Sequence, residues 1–280
     1  MGAVLIAIAC GALIGLCLGA LGGGGSILTV PILVSVLHVG PQSATSASLI
    51  IVGVTSVIAA VAHARSGHVR WKAAAAFGVI GSITAFAGSV LNRAVDPQVL
   101  LLAFSVLMII AAVAMLRRTT KNRCSQPDSR HNDSGEPAGG VTPGAVATAT
   151  RPRISSAQAT KLAVAALVVG FLTGFLGVGG GFLIVPALVL ALGYPMPIAV
   201  GTSLVIIAIT SAGAFTERLG TASIPWQLVV PFTLAAIAGS FAGTTVGDRI
   251  SGTALTRSFA VLLIAIAGYV ALTAGLHLAH

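Results

Sequence analysis

Residues Gly15–Leu33, GLCLGALGGGGSILTVPIL, and residues Gly170–Leu188, GFLTGFLGVGGGFLIVPAL, are two versions of one pattern set 155 residues apart. In each, two glycines four residues apart lead into a glycine cluster, which is followed by an apolar stretch containing a proline. Consecutive glycines break a helix, because each is about 1 kcal/mol worse there than alanine. Broken, glycine-rich helices at matching places in two halves of a hydrophobic chain are the mark of a secondary transporter with its site at the repeat interface. The register continues without a gap: Ser48-Leu49 matches Ser203-Leu204, Thr55-Ser56 matches Thr210-Ser211, Trp71 matches Trp226, and Phe86-Ala87-Gly88 matches Phe241-Ala242-Gly243. Tryptophan, proline and Thr-Ser pairs are uncommon letters in this chain, so shared hydrophobicity alone does not produce the match.

Composition sets the class. The chain is 56% hydrophobic and 8% charged, whereas a soluble domain carries about 25% charged residues. It reads as an all-α polytopic membrane protein. Apolar runs long enough to cross ~30 Å of hydrocarbon fall at 3–21, 44–63, 73–92, 98–116, 162–178, 198–216, 227–246 and 255–276. Two shorter segments, 26–39 and 181–194, follow the glycine clusters, contain Pro31 and Pro186, and read as either short spans or re-entrant half-helices. The expected architecture is two inverted-topology repeats of about five hydrophobic segments each: eight clear spans and the two short segments. The repeats occupy 1–116 and 161–280, and residues 117–160, rich in Arg, Ser, Thr, Pro and Gly, read as a basic, disordered linker.

The net charge of +9 does not point to nucleic acid. About half of the basic residues crowd into the segment from Arg117 to Lys161, where they are a topology signal. Placing that segment and the Arg65, Arg70, Lys72 loop in the cytoplasm leaves only Arg93 and Arg218 outside. The linker is then cytoplasmic and both termini are outside, in a multi-pass protein of the cell (plasma) membrane. Five segments per half, an odd number, invert the second half relative to the first. Met1-Gly2-Ala3-Val4 lacks the basic region of a cleavable signal peptide, so the first segment is expected to remain. Trp71 and Trp226 read as interface anchors at the starts of matched spans.

In the second half the pattern is Gly170, Gly174, Gly177, Gly179-Gly180-Gly181, Pro186 and Ala199-Val200-Gly201-Thr202-Ser203-Leu204. It resembles the sulfite exporter TauE/SafE family of membrane permeases. The first half departs from it with Gly22-Gly23-Gly24-Gly25-Ser26 and Ser46-Ala47-Ser48. The resemblance implies transport of sulfite or a related sulfur oxyanion or organosulfonate.

The residues themselves lead to a compatible chemistry. No Lys, Arg or Asp lies deep in an expected span, so a bound ion would be held by backbone and hydroxyl groups. Glycine runs let N–H groups approach a ligand, and a helix beginning after the run directs its positive end at an anion. The candidate substrate-binding residues are therefore Gly24, Gly25, Ser26, Gly179, Gly180 and Gly181, with Ser46, Ser48, Thr202 and Ser203 as hydroxyl donors at the start of the next span. Gly15, Gly19, Gly170 and Gly174 read instead as helix-packing faces. Thr55-Ser56 and Thr210-Ser211 read as hydroxyls bonded to their own backbone, with a place in the pathway as the alternative. His63 and Glu217 read as groups solvated at the membrane interface.

The expected function is a secondary transporter for a small anion, exporting by alternating access. The alternatives are an uptake permease for another small organic anion and a non-transporting membrane scaffold. An enzyme is disfavoured: there is no intramembrane Ser-His pair, aspartate pair or HExxH motif, and Cys10 and Cys17 have no partners in the second half. No metal or cofactor is implied. The expected partners are the small anion and membrane lipid, and a homo-oligomer is compatible with the chain.

Overall fold

The computed structural model describes residues 2–92, 95, 97–124, 156–176, 181–216 and 224–278. Gly177, Gly179, Gly180, Glu217, Arg218, Arg93, His131, His280 and most of the linker lie outside them. Ten helices are formed among the described residues: α1 (Gly2–Leu21), α2 (Gly24–Ser35), α3 (Pro41–Arg65), α4 (Trp71–Asn92), α5 (Pro97–Cys124), α6 (Ser156–Leu176), α7 (Gly181–Leu190), α8 (Met196–Thr216), α9 (Trp226–Arg249) and α10 (Gly252–Leu278). Helices satisfy every backbone polar group within the segment, which lipid demands.

Among the described residues seven helices, α1, α3, α4, α6, α8, α9 and α10, are long and apolar enough to cross a membrane. α5, of 28 residues, packs on α10 and buries Phe104, Met108, Ala112 and Met115. α2 has 12 residues and α7 has 10, about 18 and 15 Å of helix at 1.5 Å per residue, too short to cross alone. Helical structure also enters the linker from both sides: α5 continues past 116 to Cys124, and α6 begins at Ser156. Arg118, in that extension, donates to the carbonyl of Val189 at the end of α7, where a cation suits the negative end of the helix.

Glycine contact organises the bundle. Gly11, Gly15 and Gly19 of α1 rest in order on the backbone of Phe232, Ala236 and Ser240 of α9, so the two helices run parallel; Gly239 and Gly243 return the contact to Ala12 and Leu16. The same arrangement recurs between α6 and α4, with Gly170 on Gly81 and Gly174 on Ala85. The packing role read for Gly15, Gly19, Gly170 and Gly174 is therefore what the structure shows. Every one of these carbonyls occupies the space a Cβ would need, and only glycine permits the approach. In contrast, α3 and α8 run antiparallel: Gly53 lies against Ser211, and Gly201 against His63.

At the end of α1, Gly22 takes a positive φ of 72° and its N–H bonds Leu18 O at 2.8 Å, the left-handed termination that glycine favours. The chain then folds back, placing Gly25 beside Ile14 and Leu18 and Leu33 in a cluster with Ala7, Ala44 and Ile51. α1 and α2 thus form a hairpin, and α3 starts from the side on which α1 started. Trp71 and Trp226 are the first residues of α4 and α9, both exposed.

Candidate functional site

The two short helices meet at their N-termini. A Cβ on Gly23 would overlap the carbonyl of Gly181, and one on Gly181 would overlap the Ser26 hydroxyl. Such approach brings together two helix starts, each carrying unpaired N–H groups and roughly half a positive charge. Ser26 stands at the junction. It is buried and its hydroxyl donates to Gly23 O at 2.7 Å.

Next to Ser26 lies a cavity of about 210 Å³. Eight hydroxyls line it: Ser26, Thr45 and Ser48, Ser82 and Ser89 of α4, Thr173 of α6, and Thr210 and Ser211 of α8. Val30, Leu49, Val52 and Phe86 supply an apolar wall, and no ionisable side chain lines it among the described residues. Four more of these hydroxyl protons rest on carbonyls of their own helices: Ser48 on Thr45, Ser82 on Gly78, Ser89 on Phe86 and Thr210 on Ile207, at 2.8 to 3.2 Å. Turning such a proton toward an ionised oxygen exchanges a neutral hydrogen bond for a charge-assisted one, about twice as strong.

Of the residues named from sequence, the structure brings Ser26, Ser48 and Gly181 to this place. Gly24 and Gly25 sit one residue away but are packed, with Leu262 and Leu18 at the positions a side chain would take. Ser46 lies outside the cavity, its hydroxyl bonded to Gln42 O at 3.1 Å. Thr202 and Ser203 are fully buried elsewhere. Thr202 accepts the N–H of Arg70 at 3.2 Å, and Ser203 donates to Val200 O beneath Gly22. The two hydroxyl sets do not share one cavity, because antiparallel α3 and α8 place their first turns at opposite ends of the bundle. Gly179 and Gly180 lie outside the described residues.

Sequence reading missed Ser82, Ser89, Thr173 and Thr45. Their signal was adjacency: Ser82 and Ser89 flank Gly81 and Gly88, and Thr173 precedes Gly174. Thr55 and Thr210 do bond their own backbone, to Ile51 O at 2.6 Å and Ile207 O at 3.2 Å, yet Thr210 and Ser211 also line the cavity. The expectation for His63 is corrected. It is 3% exposed, with Nε2 3.1 Å from Gly19 O, because the end of α1 and the turn after α3 close over it.

Thr202 serves as an anchor for the turn into α4. Thr202→Val is expected to lower stability by about 1 kcal/mol, one hydrogen bond, with substrate affinity unchanged; thermal unfolding in detergent and the KM of transport check this pair of outcomes.

The sulfite exporter TauE/SafE family profile matches residues 7–270. A probable membrane transporter protein of Xylella fastidiosa strain Temecula1 is 36% identical over 273 residues, covering 95% of this chain and 94% of the relative. A probable membrane transporter protein of Methanocaldococcus jannaschii is 28% identical, with 84% and 83% covered, and one of Bacillus subtilis is 26% identical, with 92% and 90% covered. No solved structure matches significantly.

Proposed function

As a member of the sulfite exporter TauE/SafE family this chain is a multi-pass membrane transporter, and we propose that it exports a small sulfur oxyanion, sulfite or a short organosulfonate, by alternating access. The observation that carries the reading is a hydroxyl-lined cavity, uncharged among the described residues, beside the meeting of two half-helix N-termini. A sulfonate or sulfite group has three oxygens and finds several donors there. The apolar wall of Leu49, Val52 and Phe86 suits the hydrocarbon part of an organosulfonate.

The inverted repeat is supported by helix direction. Exchanging the halves turns the parallel pair α1 and α9 into the parallel pair α6 and α4, and turns α3 and α8 into each other. A two-fold axis in the membrane plane requires α3 and α8 to be antiparallel, as they are; an axis along the membrane normal would make them parallel. With α5 counted with α10, eight helices cross, and α2 and α7 return the chain within the bundle. The basic ends at Arg65, Arg70, Lys72, Arg249 and Arg257 then face the cytoplasm.

The direction is read from the lining, which carries no charge among the described residues. An anion bound only by dipoles and hydroxyls carries its full charge across the membrane, and an inside-negative potential favours its exit by about 2.3 kcal/mol per charge per 100 mV. Counterflow in proteoliposomes tests the reading. Saturable sulfite exchange, inhibited by methanesulfonate and not by chloride, is expected, and net efflux should rise when a potassium gradient with valinomycin makes the interior negative. Exchange of carboxylates alone would overturn the substrate class, and flux indifferent to potential would overturn the uncompensated charge.

A further inference from the structure

We propose that Thr55, Ser56, Ser203, Ser240 and Thr244 form the second half of the substrate pathway, sealed in this conformation by the hydrogen bond between His63 and Gly19. The proposal rests on the transporter reading above and extends it to residues outside the open cavity. The 155-residue repeat supplies the correspondence. Four of the eight cavity hydroxyls, Ser48, Ser89, Thr210 and Ser211, map onto Ser203, Thr244, Thr55 and Ser56, hydroxyl onto hydroxyl; the other four map onto Gly181, Val200, Ile237 and Leu18. Ser240 takes the place of Ala85, another lining residue. Yet Ser48, Ser89, Thr210 and Ser211 line the cavity, whereas Thr55, Ser56, Ser203 and Ser240 are exposed by 1% or less and Thr244, at 7%, borders a separate groove.

Four of the five bond carbonyls of their own helices; the fifth does not. The Ser56 hydroxyl is fully buried with no hydrogen-bond partner, a placement that alanine would serve at lower cost. A hydroxyl that meets a ligand or water in another conformation accounts for it.

One difference between the two halves lies at a glycine pair. Gly174 lines the open cavity. Its counterpart Gly19 does not face open space: its carbonyl is covered by His63, with Nε2 at 3.1 Å. His63 ties α3 to the end of α1, packs beside Gly201 of α8, and with Thr244 of α9 borders a groove of about 450 Å³ that Arg65 and Phe241 also line. His63 of α3 thus meets both α1 and α8. The position matching His63 in the other half is Arg218, which lies outside the described residues. Releasing the bond frees the end of α1, and with it the Gly22 turn that rests on Ser203; closing the first cavity while opening the second is the exchange of the two half-conformations.

Cysteine accessibility in proteoliposomes tests this without any substrate. In a carrier with Cys10, Cys17 and Cys124 replaced by alanine, Ser211→Cys should react quickly with a small methanethiosulfonate reagent and Ser56→Cys slowly. Adding His63→Ala should speed reaction at Ser56→Cys at least tenfold and slow it at Ser211→Cys. His63→Gln, which keeps a donor, should leave both rates near those of the parent. If His63→Ala cannot be purified folded, His63→Leu keeps apolar volume without the donor and carries the same expectation. Unchanged rates, or a rise at both positions, would overturn the latch. Reciprocal labelling in a protein that moves no sulfite would keep this proposal and sink only the substrate.

Discussion

Gly15→Leu and Gly174→Leu should each destroy the folded carrier, whereas Gly268→Leu should leave it intact. At Gly15 a Cβ would occupy the space of the Ala236 carbonyl, and at Gly174 that of the Ala85 carbonyl. Neither obstacle is the end of a side chain that swings aside. The helices must part along most of their length, and the loss goes beyond the 1–3 kcal/mol typical of overpacking against side chains. Gly268 on α10 has nothing within 4 Å of where its Cβ would be, so it controls for glycine replacement as such. Monodisperse yield on size-exclusion chromatography and the thermal unfolding midpoint separate the three variants. A well-folded Gly174→Leu would mean that α4 and α6 are not held backbone to backbone.

Ser48→Leu should leave the fold in place and bring transport to background, while Ser48→Ala should weaken binding on the order of tenfold. The serine lines the cavity from α3, and its proton now rests on Thr45 O at 2.8 Å. Alanine removes one hydrogen bond to a charged ligand, worth about 1.5 kcal/mol or more, and keeps the volume free. Leucine removes the bond and pushes a branched side chain into a cavity of about 210 Å³. KM should rise for alanine with little change in maximal rate, and leucine should show no saturable flux at any concentration. Equal activity of both variants would place the substrate elsewhere. Ser46→Ala, one position removed from the lining on the same helix, is the matched control.

Much of this was legible in the letters because the forces that shape a membrane bundle act on few residue types. A glycine four residues from another on an apolar helix leaves little but close packing as its use, and Gly15, Gly19, Gly170 and Gly174 are used that way. The glycine clusters marked where helices break, and Ser26 and Gly181 proved to be neighbours. What was hidden depended on depth and direction. Thr202 and Ser203 share a motif with the first-half serines, but antiparallel α3 and α8 carry them to the other end of the bundle. Ser82, Ser89 and Thr173 sit in helices whose alternation of small and apolar residues looks alike on every side. Only contact between α4, α6 and α8 shows which side is lined. His63 looked interfacial because it lies two residues from Arg65; its burial comes from α1, more than forty residues earlier in the chain.

The interleaved glycine contacts also fix an order of assembly. α1 is complete about 200 residues before α9, the helix it packs against, has begun, and at ~5–20 residues per second of synthesis that is an interval of roughly ten to forty seconds. Throughout it the Gly11, Gly15 and Gly19 face lacks the helix it rests on in the finished fold. α4 waits in the same way for α6, over a shorter stretch. The first repeat therefore enters the bilayer as a half-built object whose grooves are shaped for helices not yet made.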